Sequence, residues 1–222
     1  MRDLMVVDFQ DRPYYTELVR IGLPVMLQSL IFNGLALVDN VMIGGMGDAA
    51  ISAVGIANKL SFVYMLFMFG VHSGANMFCA QFWGKGDLSA VRKVLGISIR
   101  MCLVALLPFL FVSQFLPGAF MKFFIRDPQV VSQGAAFLRI MGWSYVFQAV
   151  TSAYAIQSRG VGRTRPPFYA SAMALGVNTL LNYVLIYGRF GFPAMGVRGA
   201  ATATLIARFL EVSFLLGIIY GK

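Results

Sequence analysis

Residues 173–188 read MALGVNTLLNYVLIYG, a run with no charged side chain and no apolar–polar alternation. A membrane-spanning strand would alternate apolar and polar residues over about ten positions, which this run does not do. An unbroken apolar run that must satisfy its own backbone in lipid forms a helix. The same kind of run recurs on both sides of it, and the composition of the whole chain explains why. Of the 222 residues, 59% are hydrophobic and 12% are charged, against about 25% charged in an ordinary soluble domain. With 20 Phe and so few charges, a soluble fold of this size has too little polar surface to cover itself. Disorder is excluded as well, because low hydrophobicity is what keeps a segment unfolded. The chain is therefore expected to be an integral membrane protein. A span takes about 20 residues, roughly 35 with its connection, so 222 residues allow about six crossings and no sizeable soluble domain.

Gly, Pro and charge divide the chain into six apolar segments, at 18–43, 50–80, 94–115, 130–156, 168–188 and 197–220. The expected organisation is a leader over 1–17 followed by an all-α, six-transmembrane-helix bundle over 18–222. The gaps read GGMGDAA, WGKGDLSAVRK, FLPGAFMKFFIRDPQ, SRGVGRTRPP and GRFGFPAMG, each taken as a loop. The second segment is long enough to need tilt or a protruding end. Pro24 and Pro108 fall inside the first and third segments and are expected to bend them.

A net charge of +9 on a soluble protein would suggest nucleic acid. Here the basic residues sit mainly in the short gaps, where they set topology, and no aromatic-interleaved basic patch suggests RNA or DNA. Ten Lys and Arg gather on one side, in the leader (Arg2, Arg12, Arg20), the second gap, the fourth gap and Lys222. Four lie on the other, at Lys122, Arg126, Arg189 and Arg198. The positive-inside rule then puts both termini in the cytoplasm. The leader carries Asp3, Asp8 and Asp11 without an apolar core, so it does not read as a cleavable signal. Cys79 and Cys102 lie within apolar runs, without metal spacing, and read as small packing residues.

Ionisable groups deep in a membrane helix cost about 2.5–3.5 kcal/mol on insertion scales, so each needs a partner, water or a task. Asp39, His72, Arg100, Arg139, Arg208 and Glu211 stand well inside the segments, whereas the long stem of Lys59 can reach the outer interface. Asp39, in GLALVDNVMIGG, is the acid of its helix's apolar stretch and can bind a cation or exchange a proton. The bland alternative is pairing with an Arg or capping a broken helix. Asn178 and Asn182 are spaced i and i+4, so their amides share a face. Beside Asp39 they complete an oxygen-rich site for a small cation; alternatively they only bond neighbouring helices, at about 1 kcal/mol or less each. Arg208 and Glu211, three apart, are read as a mutually neutralising pair, and His72 as a packed, hydrogen-bonded histidine. Nothing resembles a nucleotide loop, a nucleophile triad or a metal cluster, so no enzyme chemistry and no cofactor beyond a coupling ion are expected.

Four strings carry a family resemblance: LVDNVMIGGMGDAAISAVGIANKLSF (37–62), GVHSGANMFCAQFWGKGD (70–87), NTLLNYVLIYG (178–188) and FGFPAMGVRGAATATLIAR (190–208). Together and in this order they resemble the multidrug and toxic compound extrusion (MATE) family. The resemblance runs from about Leu18 to the end and stays in register across all six segments. It implies a bacterial inner-membrane antiporter exporting organic cations or other amphipathic drugs, driven by entry of H⁺ or Na⁺. It also implies two six-helix lobes rocking about a central cavity. The family's first-helix acid falls on Asp39, its polar fifth-helix positions on Asn178 and Asn182, and the Thr of its sixth-helix Ala-Thr motif on Thr204. Some members carry Asp where this chain has Asn182, so a cation site here rests more heavily on Asp39. The six segments match one lobe of two, and alternating access needs both. A second lobe is expected from a copy of the chain, from a separate chain, or from the rest of a longer one. Two alternatives remain at this point: a lipid-linked-sugar flippase of a related family, and a non-transporting membrane module that pairs with a partner lobe.

Overall fold

The computed structural model describes residues 12–221; the leader through Asp11 and the terminal Lys222, with the charges they carry, lie outside the described residues. Six long helices follow one another: α1 (Arg12–Gly44), α2 (Asp48–Gly84), α3 (Leu88–Phe115), α5 (Pro128–Gly160), α6 (Arg165–Tyr187) and α7 (Val197–Tyr220). A short helix, α4 (Pro117–Phe124), stands between α3 and α5. No strand occurs among the described residues. The six apolar segments are thus six helices of an all-α bundle.

Two differences from the sequence reading have physical causes. The gap FLPGAFMKFFIRDPQ is not wholly loop, because Pro117 opens α4 at a first-turn position where the missing N–H is harmless. Met121 of α4 is buried and Lys122 ends it beside the unpaired carbonyls. The long helices also outrun their apolar segments. α1 begins at Arg12, within the expected leader, and α2 has 37 residues, about 55 Å, well beyond a hydrocarbon core of about 30 Å. Charge ends a helix's lipid-facing stretch but not its hydrogen-bonded backbone. Both α1 and α3 continue as helix through Pro24 and Pro108.

Local chemistry fixes the helix ends. Asp87 accepts from the Ala90 amide at 2.9 Å to cap α3, and Asp127 accepts from the Gln129 amide at 2.8 Å to cap α5, with Pro128 at its first turn. Gly188 closes α6 in the left-handed region (φ 67°), where an added Cβ would stand 2.6 Å from the Ala194 nitrogen. The chain then folds back so that the Met195 amide donates to the Leu185 carbonyl at 2.8 Å.

Many small side chains face inward, and many large apolar ones face outward. Ala53, Ala57, Ala149, Ala153, Ala201 and Ala203 are buried, whereas Phe69, Val104, Leu107 and Phe115 are exposed. That distribution suits helices packed closely within lipid. By length and composition α2, α3, α6 and α7 are apolar enough to cross a membrane. α5 is less apolar because it is the central helix: it packs on α2, α3, α4 and α7, and buries Ser144, Thr151 and Gln157 inside the bundle. α6 rests between α1 and α7, which puts the amides of α6 next to Asp39 of α1 and Thr204 of α7.

Candidate functional site

Asp39, Asn178, Asn182 and Thr204 come together from three helices. Asn182 Nδ2 donates to an Asp39 carboxylate oxygen and, at 2.9 Å, to Asn178 Oδ1. Asn178 Nδ2 in turn donates to Thr204 Oγ1 at 3.3 Å, and Thr204 passes its own proton to the Ala200 carbonyl at 3.0 Å. The i, i+4 spacing of the two asparagines explains the geometry, since it stacks their amides one turn apart on the face of α6 that meets α1 and α7. Both asparagines are 0% exposed, and Asn182 Oδ1 is buried without a hydrogen-bond partner. The Asn182 amide turns its N–H to the Asp39 carboxylate and leaves its carbonyl an unsatisfied buried acceptor, so rotation of the amide would bring two oxygen acceptors together for a small cation or a proton.

A second polar chain crosses the same interior. Arg159 Nη2 donates to Gln28 Oε1 at 2.7 Å, and Gln28 Nε2 to Ser171 Oγ at 3.3 Å. Ser171 donates to Glu211 Oε1 at 2.9 Å, and Arg208 pairs with the other Glu211 oxygen at 2.7 Å. The expected Arg208–Glu211 pair is therefore present, and Glu211 has both oxygens engaged at 2% exposure. This chain ties α5, α1, α6 and α7 together through one buried acid.

Two adjoining cavities follow these chains along one face of the bundle. One, of about 220 Å³, is lined by Asp39, Asn58, Ser61, Tyr145, Thr204 and Arg208. The other, of about 330 Å³, is lined by Met65, Met68, Phe69, His72, Thr151, Ser152, Arg159 and Glu211, among others. Met65, Gln148 and Arg208 border both. Apolar thioether and aromatic walls carrying a few polar groups suit an amphipathic molecule.

Other singled-out residues stand apart from the Asp39 cluster. His72 Nε2 is hydrogen-bonded with Ser152 Oγ at 2.7 Å, with Cys102 Sγ 3.9 Å from its Nδ1. Lys59 sets its ammonium 4.7 Å from the Phe124 ring centroid, joining α2 to α4. Arg100 and Arg139 are exposed on the outside of the bundle. The sequence reading missed Gln28, Ser171 and Arg159, and it missed Tyr145, whose ring stacks on Tyr64 at 4.7 Å while its hydroxyl shares a 2.7 Å hydrogen bond with Ser61. A stripe on α5, Gln148, Thr151, Ser152 and Arg159 at helical spacing, was available as a signal for a polar inner face.

Comparison with known proteins adds the decisive observation. Residues 24–184 match the family described as MatE. The chain belongs to the MATE family. A probable multidrug resistance protein NorM from Thermotoga maritima is 29% identical over 212 residues, covering 93% of this chain and 44% of that protein. Multidrug resistance protein MdtK of Photorhabdus laumondii is also 29% identical, covering 93% and 45%. Among solved structures, an outward-facing multidrug resistance MATE transporter of the MOP superfamily superposes with a TM-score of 0.84 at 19% identity, over 93% of this chain and 45% of its own. A MATE crystallised in complex with MaD3S gives 0.83 at 20% identity, over 92% and 45%. The chain thus has the fold of one lobe of a two-lobe, multi-pass membrane transporter. It spans about half the length of the curated relatives it matches. The resemblance read from the four sequence strings is borne out.

Proposed function

We propose that this chain forms one lobe of a secondary antiporter of the bacterial cytoplasmic membrane. It exports organic cations or other amphipathic drugs in exchange for H⁺ or Na⁺. Asp39 is the coupling acid, Asn178, Asn182 and Thr204 complete its site, both termini are cytoplasmic, and a second six-helix lobe closes the cavity. The observation that carries this reading is the Asn182 amide, whose N–H is bound to the Asp39 carboxylate while its own buried carbonyl has no partner.

The chemistry follows from what each group can donate. An ionised Asp39 only accepts, so Asn182 gives it an N–H and turns its own carbonyl away. A proton on Asp39 makes the carboxyl a donor, for which the Asn182 carbonyl is the nearby acceptor. Na⁺ instead draws the carboxylate and carbonyl oxygens onto itself. Either event re-orients the Asn182 amide. Asn178 and Thr204, bonded to it in series, carry that change to α7. Arg208, which lines the Asp39 cavity and also pairs with Glu211, links the change to the second polar chain. The flippase alternative calls for a strongly cationic cavity. Here Arg159 and Arg208 face Glu211 and Asp39, a balanced set.

The test is gradient-driven efflux of a fluorescent lipophilic cation from cells producing the chain together with a second lobe. Asp39→Asn is expected to abolish efflux while the protein still reaches the membrane. Efflux unchanged by Asp39→Asn would remove the coupling role.

A further inference from the structure

The outer face of α3 carries a basic cluster that the transport site does not use and that topology explains only in part, since Arg100 stands inside the apolar segment beyond Arg92 and Lys93. Ser89, Arg92, Lys93, Gly96, Ile97 and Arg100 line an open groove of about 700 Å³. At about 100° per residue, Arg92, Lys93 and Arg100 fall within a sector of about 100°, with Ser89 and Gly96 between them. Glycine at 96 leaves the floor of the groove bare. None of the three basic side chains forms an ion pair or side-chain hydrogen bond among the described residues. The nearest acid in sequence, Asp87, directs its carboxylate at the Ala90 amide as the α3 cap.

Arg92 and Lys93 lie near a helix end, where topogenic charge is ordinary. Arg100 lies about 12 Å further along the axis, next to exposed Ile97, Met101 and Val104. A guanidinium on such an apolar, outward surface needs an anion or water within reach. Helical side chains lean toward the N-terminus of their helix, so Arg100 reaches back over Gly96 toward Arg92 and Lys93. The α3 amino end adds its own partial positive charge. The face is also the back of the bundle: α3 packs on α2, α4 and α5, and lends no residue to either cavity beside Asp39.

We infer that this groove holds the phosphate headgroup of an anionic phospholipid, with Arg92, Lys93 and Arg100 around the phosphate and the acyl chains along Ile97, Met101 and Val104. Basic pockets at the membrane interface recognise such headgroups by charge. A diacyl lipid, rather than free phosphate, is the occupant because Ile97 lines the groove and exposed Met101 and Val104 follow beyond it along the helix, an apolar surface for acyl chains.

The test is native mass spectrometry of the purified chain titrated with phosphatidylglycerol or phosphatidylcholine of matched acyl chains, and with inorganic phosphate. Phosphatidylglycerol is expected to be retained selectively. R100Q should weaken its retention about fivefold, and R92Q/K93Q/R100Q on the order of 100-fold. R126Q, which removes one charge elsewhere, should leave it unchanged. Equal retention of the two lipids by the unaltered chain overturns the inference whether or not the variants fold. So does a loss in R126Q equal to that in R100Q, or displacement of the lipid by inorganic phosphate at equal concentration.

Discussion

Gly199 sits where α7 crosses α6, and replacing it with alanine tests how tightly those helices must fit. A Cβ at this position would lie 2.6 Å from the Leu185 carbonyl oxygen, 2.7 Å from its carbon and 3.0 Å from the Ile186 nitrogen. All three are backbone atoms of α6, so no side chain can swing away. Ordinary contact begins at 3.4 Å, which leaves α7 about 0.8 Å too close unless the helices part. Overpacking of this kind costs about 1–3 kcal/mol, and for a chain of this size about 2 kcal/mol lowers Tm by about 4–8 °C. The same displacement pulls Thr204 from Asn178, whose hydrogen bond is already 3.3 Å long. Cys79 and Cys102 are free and fully buried, so a thiol-reactive fluorogenic dye reports unfolding directly. Gly199→Ala should melt several degrees below the parent. Gly217→Ala, on the same helix with nothing within 4 Å, should melt at or slightly above it. Equal melting of Gly199→Ala and the parent would refute the claim that close α6–α7 approach holds the site together.

Three further outcomes follow from particular contacts. Arg208→Met strands the buried Glu211 carboxylate and should destabilise the chain by about 3 kcal/mol; Arg208→Met combined with Glu211→Leu should recover most of that loss in the same dye assay. Asp127→Ala removes the acceptor that caps α5 and should lower Tm by about 2–4 °C, whereas Asp127→Asn should cost less. Asn182→Asp places a second carboxylate beside Asp39 and should tighten Na⁺ binding by about 1–4 kcal/mol, measured by isothermal titration in nanodiscs.

The six long helices were legible because lipid imposes one rule on all of them, an apolar run about 20 residues long with a helical backbone. α4 escaped that rule. At eight residues it spans nothing, and its Pro117–Gly118 opening reads equally as a turn. Asp39, Asn178, Asn182 and Thr204 were legible for two separate reasons. The i, i+4 spacing fixed the asparagines on one face, and the family strings aligned Asp39 and Thr204 with them. Geometry then joined all four in series, Asp39 to Asn182, Asn182 to Asn178 and Asn178 to Thr204. The Arg159–Gln28–Ser171 chain was not legible, because its hydrogen bonds close over 131 and 143 residues and no periodicity encodes a pairing that distant. Arg100 was visible as a buried-charge candidate, but only the fold shows that it stands outside the bundle beside Arg92 and Lys93 rather than within it.

The central claim, that the Asp39–Asn182 cluster takes up the coupling ion, is tested most directly by ion binding itself. Purified chain in nanodiscs is titrated with ²²Na⁺ while the bulk pH is followed, for the parent and for Asp39→Asn. Saturable Na⁺ uptake or, where H⁺ is the coupling ion, one more proton per chain released on titration with base, is expected in the parent and absent in Asp39→Asn. Identical uptake and identical proton release in the two proteins would contradict the account.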